Sequence, residues 1–94
     1  MTESMITEKI VAYLKRLRER GEPIWWAKIH GGPMQRAGLP DLLILHRGRL
    51  LAVEIKRPGK HPTRLQAHTL AALRAAGAEA IVATCVEEIQ SLFS

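Results

Sequence analysis

The sequence holds one cysteine, Cys85, among its 94 residues. A lone thiol excludes an intrachain disulfide and a multi-cysteine zinc site, and Cys85 itself reads as a small buried apolar residue. Long apolar runs are missing as well, since none approaches the roughly 18 residues that cross a bilayer. The opening Met1-Thr2-Glu3-Ser4 places no basic stretch ahead of an apolar one. Neither a secretory signal nor a membrane partner is therefore expected, and the expected location is cytoplasmic. Acidic residues are the scarcer charge, with 9 Asp and Glu against 14 Lys and Arg, a formal net charge of +5. That balance suits a polyanionic partner, although many small basic proteins bind no nucleic acid. Repeats, low-complexity tracts and linkers are also absent. What remains is 47% hydrophobic with mixed charge, enough for a single folded domain over residues 1–94.

Apolar periodicity sets the element order. Ile6, Ile10, Tyr13, Leu14 and Leu17 repeat at the spacing of one helix face over residues 3–20, opposite Lys9, Lys15, Arg16, Arg18 and Arg20. Gly21 to Pro23 then stops the helix. Residues 24–29 are aromatic and β-branched and predict a first strand, with Trp25 and Trp26 on opposite sides of it. Core packing accounts for one of these indoles; a dimer or DNA surface suits the other. Residues 30–38 form a glycine-rich loop. The runs 42–45 and 50–55 flank Arg47-Gly48 as a hairpin whose strands do not alternate cleanly, as in a sheet covered on both faces. Thr63-Arg64-Leu65-Gln66 has the form of a capping box opening a helix that reaches Ala76 and stops at Gly77. A short strand over 80–83 and a helix over 86–93 complete a three-layer α/β domain.

The hairpin carries the chemistry. With Arg47 and Gly48 as the two turn residues, paired positions sum to 95, so Asp41 falls opposite Glu54. Directly paired residues share a sheet face, and Lys56, two positions on, shares it too. Two carboxylates this close repel, and one is driven toward its protonated form unless a cation compensates. Mg²⁺ takes one or two carboxylates together with waters and substrate phosphate. Beside it, a lysine has the means to orient water or to neutralise charge developing on phosphoryl oxygens. Taken singly, Pro40-Asp41 is an ordinary way to begin a strand, and Glu-x-Lys an ordinary solvated face. Their hairpin-compatible spacing between apolar runs favours the catalytic reading.

Gly38-Leu39-Pro40-Asp41 followed by Glu54-Ile55-Lys56 resembles the PD-(D/E)xK nuclease signature. The ordered set around it spans nearly the whole chain: a Glu-led first helix, the glycine-rich loop, Glu-x-Lys-Arg-Pro and Thr-x-x-Gln before a helix. It resembles the VRR-NUC branch, in particular its small stand-alone, virus-type members. The resemblance implies a restriction-endonuclease-like fold with a central mixed four-stranded sheet between helices. It implies Asp41, Glu54 and Ile55 as metal-binding positions for Mg²⁺ or Mn²⁺, and Lys56 as the catalytic lysine. It also implies a first-helix glutamate in the site; Glu3, on the core-facing stripe, is the expected match and Glu8 the alternative. Gln66 matches a glutamine beside the site in this branch, although a capping box accounts for it equally. Relatives of this kind resemble homodimers that cut branched DNA such as four-way junctions, and two symmetric nicks call for two sites about a two-fold axis. The alternatives are a non-catalytic nucleic-acid-binding module and a nuclease of linear or flapped DNA.

Arg36, Arg57, Lys60 and Arg64 lie around this site as candidate phosphate contacts, with solvated surface charge as the alternative for each. Gly31 and Gly32 either admit the DNA backbone closely or only shape the loop. The four histidines show no tight ligand spacing, and no zinc site is assigned. His30, beside the loop, is a further candidate phosphate contact.

Overall fold

The computed structural model describes residues 1–30 and 36–93. Seven elements follow one another: α1 (Glu3–Glu19), β1 (Ile24–Lys28), β2 (Leu42–His46), β3 (Arg49–Ile55), α2 (Arg64–Ala75), β4 (Glu79–Ala83) and α3 (Val86–Gln90). The strands form one mixed sheet in the order β1-β2-β3-β4, antiparallel except for the parallel β3–β4 pair. This is the mixed four-stranded sheet between helices that the sequence leads one to expect. Gly31 and Gly32 lie outside the described residues.

Local chemistry explains the boundaries. Thr2 caps α1 by accepting from the Met5 N–H, and Ile6, Ile10 and Leu14 bury its apolar stripe. Gly21 (φ 92°) ends α1, where its N–H reaches the Arg18 carbonyl and that of Glu22 reaches Leu17. Gly77 (φ 112°) ends α2 the same way, with Ala78 bonded back to Leu73. Both are Schellman stops, a conformation that glycine adopts without steric cost. Arg47 (φ 50°) and Gly48 (φ 80°) both lie at positive φ, as a type I′ hairpin turn requires. The turn holds the register: Leu42 pairs Val53, Leu43 pairs Ala52 and His46 pairs Arg49, every pair summing to 95.

Alternation along β3 divides the molecule into two layers of core. Leu51, Val53 and Ile55 join Leu42, Ile44 and the α1 stripe on one face, closed by Ile89 of α3. Ala52, Leu70 and Ala80 form a smaller cluster on the opposite face under α2. Among the described residues α2 packs against β3 and β4 only, so β1 and β2 are uncovered on this side. A cross-strand row of Trp25, Leu45 and Leu50 is consequently 59%, 43% and 37% exposed. Trp26 points the other way, half-buried against the larger core, with the Arg18 guanidinium 4.6 Å from its ring centre. Cys85 is half-buried rather than fully buried, because it sits at the start of α3 with its Sγ 3.4 Å from Glu88 Oε1.

Candidate active site

The sheet face opposite the larger core carries Ala52, Glu54 and then Lys56 along β3. Glu54 is the one charged residue buried among the described residues, 2% exposed, because β3 has a strand on each side and helices above and below. Its Oε2 lies 3.6 Å from Lys56 Nζ, while its Oε1 is buried with no hydrogen-bond partner among the described residues. Burial first, and then the neighbouring Asp41 carboxylate, push the Glu54 carboxyl from an ordinary 4.5 up to about 7, against the opposing pull of Lys56.

Asp41 reaches this spot by a route that differs from the sequence expectation. Regular pairing stops at Leu42–Val53, so Asp41 is not the ladder partner of Glu54. Its own N–H donates to the Val53 carbonyl at 3.0 Å, and its carbonyl accepts from the Ile29 N–H at 2.9 Å. The carboxylate then turns inward, and Oδ2 accepts the Ile55 N–H at 2.7 Å. A side-chain oxygen thus takes a bond that a strand carbonyl would otherwise supply, which places the carboxylate beside Glu54 and fixes it there. Pro40, buried just before it, has no N–H to leave unpaired.

The structure therefore gathers Asp41, Glu54 and Lys56. The Ile55 side chain lies in the apolar core, so the atom this residue offers to the site is its backbone carbonyl. Glu3 does not reach the cluster. It is exposed in the first turn of α1, where its carbonyl accepts from Thr7 Oγ1. Glu8 instead lines a polar cleft of about 220 Å³ together with Asp41, Ser4, Thr7, Lys28 and His30. The core-facing stripe leads to Glu3, whereas Glu8 lines the cleft, because Asp41 lies beside the flank of α1 rather than beneath its buried face. Positions 4, 7 and 8 follow helical spacing, and that polar strip is the signal that identifies this flank. Lys28 is the residue that sequence reasoning leaves out altogether. Gln66 closes the capping box: its Oε1 accepts the Thr63 N–H at 2.9 Å and its N–H donates to Thr63 Oγ1 at 3.2 Å. Arg36, Arg57, Lys60 and Arg64 are all exposed, and none forms an ion pair with another described residue.

These residues fit a hard divalent cation. Glu54 has a buried oxygen without a partner among the described residues, Asp41 adds carboxyl oxygens beside it, and the proximity of the two carboxyls is otherwise unfavourable. Among the described residues no three His, Cys, Asp or Glu side chains converge into a metal site. Two carboxylates are nonetheless within the usual protein complement for Mg²⁺, whose remaining positions go to water and substrate.

A mixed sheet between helices, with Asp, Glu and Lys meeting at the strand ends, is an arrangement that resembles nucleases of the PD-(D/E)xK type. Comparison with solved structures narrows this further: a chain described as a "VRR_NUC domain" is 25% identical and superimposes with a TM-score of 0.69 over 92% of this chain and 91% of that one. This chain has the VRR-NUC fold. Comparisons with protein-family models and with curated proteins find no match.

Proposed function

We propose that this chain is a divalent-metal-dependent DNA endonuclease that acts on branched DNA, four-way junctions above all, as a homodimer. The observation that carries this reading is the buried Glu54 carboxyl, with Oε1 unpartnered among the described residues, beside the Asp41 carboxylate and the Lys56 ammonium. A structural ion pair would leave no oxygen orphaned at the centre of a sheet, since an unsatisfied buried polar atom costs about 1–3 kcal/mol. Asp41, Glu54 and the Ile55 carbonyl would hold Mg²⁺ or Mn²⁺. When bound, the ion supplies Lewis acidity to a phosphoryl oxygen and acidifies a water.

The protein's own groups do the rest. The Ile55 N–H fixes the Asp41 carboxylate, so no reorganisation is needed when phosphate arrives. Lys56, tethered through its N–H to the Ala83 carbonyl, holds its ammonium beside Glu54, positioned to orient water or to offset charge on the phosphoryl oxygens. Glu8 flanks the same cleft from α1. Arg57, Lys60 and Arg64, exposed and without an ion pair to another described residue, are the candidate cations for neighbouring phosphates, contacts that position a strand without reading its sequence.

The test is cleavage of labelled four-way junction, fork and linear duplex in Mg²⁺, Mn²⁺ or EDTA. Symmetric nicks in the junction, dependent on metal, are expected. Asp41→Asn, which keeps an acceptor for the Ile55 N–H, and Lys56→Ala should lose cutting by at least about a hundredfold, typical of a lost electrostatic group, while still binding the junction. Parental rates in either variant, or binding without cutting in every metal, would refute the assignment. Light scattering reads the oligomeric state separately.

A further inference from the structure

Two clefts of opposite character meet at the Pro40–Asp41 step. The polar one, described above, opens on the α1 side and contains Asp41, Lys28 and His30. The other, about 290 Å³, lies between α2 on one side and Ile29, the segment before β2 and Leu43 of β2 on the other. Its walls are Ile29, Leu39 and Leu43 on the sheet side and Ala72 and Leu73 on α2. Pro40 lines this apolar cleft while Asp41 lines the polar one, and Ile29 borders both.

We propose that the apolar cleft is a nucleobase subsite, which accepts one unpaired base of branched DNA while the adjoining phosphate occupies the polar cleft at Asp41. The proposal rests on the nuclease reading and adds to it a physical source of substrate selectivity. A nucleotide divides as the surface does, into an anionic phosphate and a flat, largely apolar ring with a polar edge. The volume is near the lower limit for small-molecule pockets and suits a single ring system. Among the described residues no acidic one lines the cleft, and its polar groups are Arg36, His68 and Thr69, which suit a base edge and a polyanion. A peptide anchored by a basic residue finds no counter-charge here.

Gly38 packs so tightly on α2 that a Cβ there would lie 2.6 Å from Leu65 Cγ and 3.2 Å from Thr69 Oγ1. The chain at Gly38, between Arg36 and Leu39, is thereby in close contact with α2 at the edge of the cleft. A base within an intact duplex is stacked and paired and pays an unstacking cost to enter, whereas one at a branch point pays little. Selectivity for branched DNA then follows from a pocket beside the carboxylates, independent of any base sequence.

The experiment uses the full chain and a four-way junction with 2-aminopurine at a crossover position or in mid-arm, first in EDTA and then in Mg²⁺. Binding should raise 2-aminopurine emission at the crossover and leave the mid-arm probe unchanged. Ala72→Trp, which fills the cleft from an exposed helix position, should abolish the rise and weaken junction binding about tenfold, the usual worth of one base contact. Circular dichroism checks that the variant folds; if it does not, the parental fluorescence decides alone. No rise at any crossover position, or parental binding and cutting by Ala72→Trp, overturns the subsite. Conversion of a parental dimer into a monomer by Ala72→Trp also overturns it, because a second protomer then fills the cleft. Emission in EDTA reads the subsite and cutting in Mg²⁺ reads the nuclease, so either idea can fail without the other.

Discussion

Glu54 shows how one residue couples stability to chemistry. Its folded-state pKa, pushed up to about 7 from 4.5 by burial and then by Asp41, means that the fold favours the protonated carboxyl. That contribution is fully present below about pH 4.5 and is lost as pH rises through 7. In EDTA at about pH 8, Glu54→Gln should therefore be more stable than the parent by on the order of 3 kcal/mol, with the gap closing near pH 4. Urea titrations at the two pH values check this; an equal difference at both would show that ionisation is not the cause. Asp41 teaches a second lesson at this scale. Its importance was legible in the sequence from its distance to Glu54, but its geometry was not. No periodicity rule anticipates a carboxylate that replaces a strand carbonyl at a ladder's end.

At the scale of elements, the sequence was read well wherever a single local interaction decides the outcome. The two glycine stops, the Thr63–Gln66 box and the hairpin register all follow from short-range chemistry. The reading failed where the answer depends on how elements sit against each other. The orientation of α1 over the sheet end decides whether Glu3 or Glu8 borders the cleft at Asp41, and the apolar stripe of α1 does not by itself encode it. The hairpin also yields a test. Arg47 holds a left-handed conformation that costs a non-glycine residue roughly 1–2 kcal/mol, offset by an exposed hydrogen bond to Glu22 Oε2 at 3.1 Å. Exposed pairs of this kind are screened by water and contribute little. Arg47→Asn should thus stabilise the protein by roughly 0.5–1 kcal/mol, measured by chemical denaturation, with cutting unchanged. A destabilised variant would mean that the Glu22 contact outweighs the backbone strain.

For the whole molecule, the two faces of the sheet have unequal duties. The face under α1 and α3 holds most of the buried apolar side chains, while Glu54 projects from the opposite face and Asp41 stands at the sheet end beside α1. In the proposed site an ion held by Asp41 and Glu54 would join the start of β2 to β3 in the native state and would have no comparable site in the unfolded chain. Mg²⁺ or Mn²⁺ at a hundred times its dissociation constant should raise stability by about 2.7 kcal/mol over EDTA, seen as a higher melting temperature. Asp41→Asn should lose most of that rise. A melting temperature insensitive to either metal would remove the metal site from the proposal.

The adjacent indoles on β1 have a practical consequence. Trp25 is open to solvent beside Leu45, whereas Trp26 is half-buried beneath Arg18. Iodide should quench the first fluorophore and spare much of the second, so the chain carries two optical reporters one residue apart. Shielding of the quenchable fraction on dilution-sensitive self-association, or on addition of DNA, would reveal which of them screens the open face of the sheet, with no label attached.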